Sequence, residues 1–551
     1  MNTLLNWPFF LVYLSIILVD PVNCQTQSEK FDRLLEMQFS PEGPGATALV
    51  SQNGKIIYQR ALGKANLEHN VPMENDMIFE IGSITKQFTA VAILMLMEEG
   101  KLSLQDDIKK YIMDYPVQGY NITIHHLLTH TSGIKSYTSI KKFNPNFWRL
   151  DHTPEEIIDS FKNEPMDFEP GEEYRYNNSG YILLGHIIEK ISGISYEEFI
   201  ETRIFAPLGM NHSRYGKMSE IVSGRANGYH KQDTFINAEY LSLTVPYAAG
   251  SVLSTAKDLH LWNSAITNNE LISQSTKELA FTNYKTNNGE NINYGYGWTI
   301  NEINGSNTIE HGGGIFGFLS NSIYLPEENI YVAVFSNCDC SSPVEVSTRM
   351  AAITAGKPFP TVEDTISIVP LHLAKWQGIY QFPDSSERIV EFSDDQLLTY
   401  IPGNTKERLL PIGPSTFIIA NTFVKISFGK NNSGIISLEY SNRIDKKRGL
   451  KTDKLIENPK DIEVPADILK KYTGIYEIQP GFDLQVTLEG TQLFTQATGQ
   501  QKFAVYPKST TRFYVKDFDA ELEFEKDESG DYTICKLFQG GRIVPATRKN
   551  D

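Results

Sequence analysis

Between Ala46 and Gly63 apolar and polar residues alternate in two runs that meet at Asn53-Gly54, a pattern that predicts two strands joined by a two-residue hairpin turn. The period then changes. Phe88, Val91 and Met95, with Ala92 and Leu94 between them, follow helical spacing after Ser83, and the pattern stops near Gly100. Ser83 is therefore expected at a helix N-terminus. Strand patterns return at residues 294–303, 321–325 and 330–336, with Asn304-Gly305 as a second hairpin turn. Strands at both ends of this region with helical patterns between them predict an α+β fold.

After about residue 357 the chain becomes a series of short alternating strands and turns that repeats itself at an offset of 96 residues. Gly378-Ile379-Tyr380 recurs as Gly474-Ile475-Tyr476, Leu397 as Leu493, Pro411 as Pro507, Phe417 as Phe513, Phe428 as Phe524 and Gly434 as Gly530. Each unit is long enough for a small closed β-barrel, and closure removes exposed strand edges. The chain is read as a signal peptide over 1–24, an α+β domain over 25–357 and barrel repeats over 358–456 and 457–551, with linkers near 358–368 and 457–465.

Composition narrows the function. A chain of 551 residues exceeds what one core serves, and 40% apolar with 21% charged residues is ordinary for folded domains. A net charge of -17 argues against binding nucleic acid or an anionic membrane surface, both of which need clustered Lys and Arg. The apolar run from Phe9 to Val19 is eleven residues long, too short to span a bilayer, and reads as the core of a signal peptide cut before Gln25. A lipid-bearing Cys24 is the alternative, and Pro21 and Asn23 fit it poorly. A secreted or periplasmic location follows. The cleaved chain keeps Cys338, Cys340 and Cys535, so one bridge at most can form.

Three stretches carry candidate chemistry. In Gly82-Ser83-Ile84-Thr85-Lys86 the Ser and Lys stand three apart on one helix face, so the amine reaches the hydroxyl; a Lys enclosed by protein has a lowered pKa suited to taking that proton. Tyr176 and Asn178 form a Tyr-x-Asn pair, a phenol for proton relay and an amide that can hold the Lys; the bland reading packs the Tyr under a loop and makes the Asn a helix cap before Gly180. His311-Gly312-Gly313-Gly314 is glycine-rich, which lets substrate approach the backbone, so that the N–H groups of Ser83 and Gly314 can form an oxyanion hole; the bland reading is a turn with a capping His. His126 and His130 lie four apart but lack the Glu and the third ligand of a zinc site, and Glu98, Glu99, Asp106 and Asp107 read as solvated charges.

In this order the three stretches resemble the β-lactamase and penicillin-binding protein superfamily, in its branch of class C β-lactamases, DD-peptidases, D-aminopeptidases and esterases. Further matches are Leu127-Leu128-Thr129-His130-Thr131-Ser132-Gly133-Ile134, the stretch from Gly250 to Leu259, and Tyr294-Gly295-Tyr296-Gly297-Trp298. The resemblance covers residues 30–355, and the two C-terminal units look like the lipocalin-like barrels of D-aminopeptidases. It implies an α/β/α sandwich with an antiparallel sheet and a helical subdomain, followed by the two barrels. It also implies Ser83 as nucleophile, Lys86 and Tyr176 as proton-transfer groups, His311 as the third-motif residue, Asn178 as the substrate and Lys anchor, and Gly313 and Gly314 beside the oxyanion. Neither metal nor cofactor is needed.

One departure matters: where β-lactamases carry Lys-Thr-Gly, this chain has His311-Gly312-Gly313, and a neutral imidazole lacks the fixed charge that suits a substrate carboxylate. The expected substrates are D-amino-acid peptides, amides or esters, with peptidoglycan fragments as a further candidate. The alternatives are a carboxylesterase or β-lactamase of the same fold, or a penicillin- or cell-wall-binding protein that acylates without turnover.

Overall fold

The computed structural model describes residues 26–549 apart from 142–144, 403, 432, 457–462, 517, 519, 528 and 540–541. The signal-peptide reading therefore lies outside the described residues. The described chain divides into two compact units that meet in sequence at Pro358 and Phe359.

The first unit is built on a six-stranded antiparallel sheet in which Ile330–Ser336 pairs with Ala46–Gln52 on one side and Phe318–Leu325 on the other. Both turns expected from sequence close hairpins, with Gln52 opposite Lys55 and Ile303 opposite Ser306. Asn53, Gly54, Asn304 and Gly305 all have positive φ, the conformation that a two-residue turn between twisted strands requires. The strand expected over 294–303 is shorter, Thr299–Ile303, because Tyr294-Gly295-Tyr296-Gly297-Trp298 folds back on itself, with Gly295 donating to the Trp298 carbonyl.

Every residue of Ile330–Ser336 is buried, so helices must cover both faces of the sheet. Tyr331, Ala333 and Phe335 face the main core together with Leu49, and Ser51 bonds His260 on the helix Ala256–Thr267. On the other face lie Gln27–Gln38 and Pro343–Thr354, the latter tied to the sheet by Asn321 and Ser347. The helical subdomain supplies Thr85–Glu98, in which every residue from Thr85 to Leu96 is buried, and Asn178–Ser192. A helix apolar on all sides is a core element. This one carries its few polar groups, Lys86 among them, into the interior.

The second unit holds two closed antiparallel barrels of eight strands each, the first from Gly378 to Lys451 and the second from Gly474 to Arg548. The repeat detected in the sequence is this barrel. Tyr380 and Tyr476 are both fully buried and donate to the carbonyls of Trp376 and Tyr472. Those two residues, also 96 apart, stack on Phe428 and Phe524 at 4.8 and 4.5 Å. Inward side chains fill each barrel around these stacks. Among the described residues no helix is long and apolar enough to cross a membrane.

Candidate active site

Ser83 sits at a sharp change of direction. Phe79–Glu80 is a short strand, Gly82–Ile84 a single tight turn, and the helix starts at Thr85. Gly82 has φ +51°, and a Cβ on it would lie 2.9 Å from the Gly314 nitrogen. Glycine is therefore the one residue that allows the Ser83 turn to sit against the strand Ser306–Ile315.

Lys86 is fully buried, and its Nζ has three partners: Ser83 Oγ at 3.0 Å, Asn178 Oδ1 at 2.9 Å and the Ala249 carbonyl at 2.8 Å. Burial holds its pKa well below the usual lysine value. Two of the partners can only accept. A neutral amine has two N–H groups for these and one lone pair left for the Ser83 hydroxyl, so the arrangement suits the free base. The nitrogen also lies 4.8 Å from the centre of the Tyr176 ring.

Tyr176 is shifted the opposite way. Burial raises its phenol above the ordinary range, opposed in part by its hydrogen bond with Ser83. The residue is 37% exposed at the cleft, so solvent tempers the size of that push. Opposite shifts in adjacent groups separate a base from an acid: Lys86 is poised to take a proton and Tyr176 to keep or donate one.

Asn178 is not the helix cap. Asn177 has that role, its Oδ1 accepting from the Gly180 N–H at 2.9 Å, which leaves the Asn178 side chain free to bridge Lys86 and Thr138 Oγ1. His130 supports the same stretch, its Nδ1 accepting from the Asn177 N–H at 3.0 Å and its ring 4.4 Å from that of Tyr176. Burial lowers the pKa of this imidazole and keeps it neutral. His126 instead bonds the Thr123 N–H, so the two His are engaged separately.

The glycine-rich stretch is a strand and not a turn. His311, Gly312, Gly313 and Gly314 pair in register with Ser322, Asn321, Ser320 and Leu319. Gly313 packs so tightly that a Cβ would lie 1.9 Å from the Ile81 carbonyl, while Gly314 is the residue backed against Gly82. His311 donates from Nδ1 to the Gly312 carbonyl at 2.6 Å, and its Nε2 faces the Tyr294 hydroxyl at 2.9 Å. Burial holds it down to about 3, so it is a neutral group with both nitrogens occupied.

The cleft at Ser83 encloses about 360 Å³ and is walled by Tyr137, Trp148, Leu241, Phe316 and Leu319, among others, with Asn178 and Gly314 at its polar end. Sequence reasoning placed Ser83, Lys86, Tyr176, Asn178, His311, Gly313 and Gly314, and the fold gathers all seven in one region. It missed Gly82, the Ala249 carbonyl, Tyr294 and the aromatic wall. The positive φ of Gly82 has no local sequence signal beyond the glycine itself, and the wall residues come from separate segments. Cys338 and Cys340 are bridged, and Cys535 is a buried free thiol. Among the described residues no cluster of three or more His, Cys, Asp or Glu is arranged to hold a metal.

Comparison with known proteins identifies the family of the first unit. The family model described as Beta-lactamase matches residues 31–356, and a domain of unknown function, DUF3471, matches 458–542 in the second barrel. Penicillin-binding protein 4* of Bacillus subtilis (strain 168) is 31% identical over 427 residues, 73% of this chain and 94% of that protein. The octameric penicillin-binding protein homologue from Pyrococcus abyssi matches with a TM-score of 0.53 at 27% identity, over 77% of this chain and 99% of that one. A D-stereospecific amidohydrolase from Streptomyces sp. matches with a TM-score of 0.52 at 26% identity, over 59% of this chain and 98% of that one. The protein is a serine hydrolase that belongs to the β-lactamase family.

Proposed function

We propose that the protein is exported and cleaves amide or ester bonds through an acyl-enzyme on Ser83, with D-amino-acid amides and short peptides as its substrates. The observation that carries this reading is the buried, three-partnered Lys86 beside Ser83. The free amine takes the Ser83 proton as Oγ attacks the substrate carbonyl carbon. The N–H groups of Ser83 and Gly314 hold the oxyanion that forms, where losing one such donor typically costs about 3 kcal/mol. As the tetrahedral intermediate collapses, Tyr176 gives a proton to the leaving nitrogen or oxygen and is reprotonated from Lys86. Water then attacks the acyl ester as Lys86 takes its proton, the bond between the acyl carbon and Ser83 Oγ breaks to release the acid, and Lys86 returns the proton to Oγ.

The substrate class is supported by the apolar wall of the cleft, which suits an aromatic or aliphatic acyl side chain, and by the likeness to a D-stereospecific amidohydrolase. His311, neutral and fully bonded, offers no charge to the carboxylate of a β-lactam, so β-lactams are poor substrates. Export is supported by the apolar run Phe9 to Val19 and by the Cys338–Cys340 bridge, since such bridges persist in oxidising compartments.

The test is steady-state hydrolysis by residues 25–551, with and without Ser83→Ala, of D- and L-aminoacyl p-nitroanilides, short p-nitrophenyl esters and nitrocefin. Preferred turnover of D-aminoacyl anilides that vanishes in Ser83→Ala supports the reading. Equal rates in both proteins remove Ser83 from the mechanism, and labelling without turnover identifies a binding protein instead.

A further inference from the structure

The walls of the Ser83 cleft are otherwise uncharged, and the charged side chain among their described residues is Asp339. Three features hold it there. The bridge between Cys338 and Cys340 closes a ring in which Asp339 is the single intervening residue. Its backbone N–H donates to the Tyr229 carbonyl at 3.3 Å, and Ser341 Oγ donates to the Cys338 carbonyl at 3.1 Å, pinning the loop on both sides. Finally, its Oδ2 is paired with Nδ1 of His230, whose Nε2 is paired with Glu239.

That arrangement leaves Asp339 Oδ1 with no partner among the described residues, on a side chain 34% exposed. The trio also keeps negative charge in either state of the imidazole, because two carboxylates face at most one imidazolium. Glu239 lines a second cavity of about 460 Å³, which shares Leu241 and Phe316 with the first. Glu80 and Arg225 in that second cavity pair with each other, so the carboxylates of Asp339 and Glu239 set the charge along the shared wall. In a cleft of apolar side chains with a neutral Lys86, little competes with that field.

We propose that Asp339, clamped by the Cys338–Cys340 bridge, is the specificity-determining residue that accepts a protonated amine of the substrate at Oδ1. The inference rests on the Ser83 cleft being the substrate site, and it adds the chemistry that selects among amides: a free ammonium near the scissile carbonyl is favoured over an acylated or absent one. Asp339 takes no part in bond making. Its effect is on binding, and His230 acts as a positioning residue by fixing Oδ2.

Titration calorimetry on the full chain bearing Ser83→Ala reads binding without turnover. The ligands are D- and L-phenylalanine amide and 3-phenylpropanamide, which keeps the ring and the amide but lacks the amine. A charge-assisted hydrogen bond leads us to expect the better phenylalanine amide to bind about tenfold or more tighter than 3-phenylpropanamide, and Asp339→Asn to collapse that ratio toward one. Replacing both Cys338 and Cys340 by Ser lowers the ratio in the same direction.

A ratio near one before substitution, or a ratio unchanged by Asp339→Asn, overturns the inference. So does an equal loss on both ligands, which is what a merely structural ion pair gives. With Ser83 intact, the Asp339→Asn loss on an aminoacyl p-nitroanilide is expected in KM and not in kcat. Failure of the hydrolase reading shows up elsewhere, as absent Ser83-dependent turnover on every anilide and ester, and leaves the binding ratio to be judged by itself.

Discussion

Asn177 and Asn178 are neighbours with different duties: the Asn177 side chain caps the helix Asn178–Ser192 through the Gly180 N–H at 2.9 Å, and the Asn178 side chain accepts from the buried Lys86 Nζ at 2.9 Å. Because helical and extended backbone meet here, adjacent side chains diverge, one back into the chain and one into the cleft. Asn177 also donates to the Ile134 carbonyl. Asn177→Ala is therefore expected to lower stability by about 1–3 kcal/mol, read as a fall in Tm. Asn178→Ala is expected to lower kcat/KM by about 100-fold with a smaller change in Tm. The reverse pattern would show that the two assignments are exchanged.

Lys86 makes both activity and stability depend on pH with a definite sign. The mechanism needs the free amine, so kcat/KM rises with pH through the depressed Lys86 pKa and levels off above it. Between that value and the ordinary lysine range the unfolded chain binds one more proton than the folded one. The Lys86 contribution to unfolding free energy consequently increases with pH across this window. Denaturant melts from neutral to alkaline pH should show a shallower rise for Lys86→Met than for the parent. Identical slopes would mean that Lys86 is charged in the folded protein.

Gly82→Ala tests how the nucleophile is delivered. Its Cβ would meet the Gly314 nitrogen at 2.9 Å from a backbone at φ +51°, so either the turn or the strand must move. We expect a loss of about 1–3 kcal/mol in stability and a fall in kcat/KM of more than tenfold, since the same shift disturbs the Ser83 and Gly314 amides together. Parent-like kcat/KM would show that the close approach of Gly82 and Gly314 is dispensable.

In the barrels, Phe428 and Phe524 occupy equivalent core positions, each against a stacked ring. Phe428→Ala and Phe524→Ala are expected to cost about 3–5 kcal/mol each, visible by calorimetry as a lowered melting transition. No change in either variant would contradict the filled-core description.

Much of this architecture was legible in the sequence because it rests on short-range rules. Asn53-Gly54 and Asn304-Gly305 report their turns through backbone preference alone, and the 96-residue repeat reports a barrel because Tyr380 and Tyr476, Phe417 and Phe513, and Phe428 and Phe524 fill the same core positions. Trp376 and Tyr472 escaped notice since two different aromatic residues satisfy one stacking position. Ser83 and Lys86 were legible through helical spacing. Asn177 was not separated from Asn178, because the cap depends on where the helix begins. The His311 stretch forms a strand of its own, Ser306–Ile315, paired with the one expected at 321–325, and it was not legible because its glycines carry no alternating pattern. Trp148, Phe316 and Asp339 stand alone in the sequence, and tertiary folding is what brings them to the cleft.

The central claim is that Ser83 becomes acylated and is freed again. Rapid quench of the protein with a p-nitrophenyl ester, followed by intact-mass and peptide mass spectrometry, tests it most directly. The account predicts a transient mass increase of one acyl group, located on the peptide that contains Ser83, formed no more slowly than turnover and absent in Ser83→Ala. Turnover with no adduct at any quench time, or an adduct of the same size in Ser83→Ala, would contradict it.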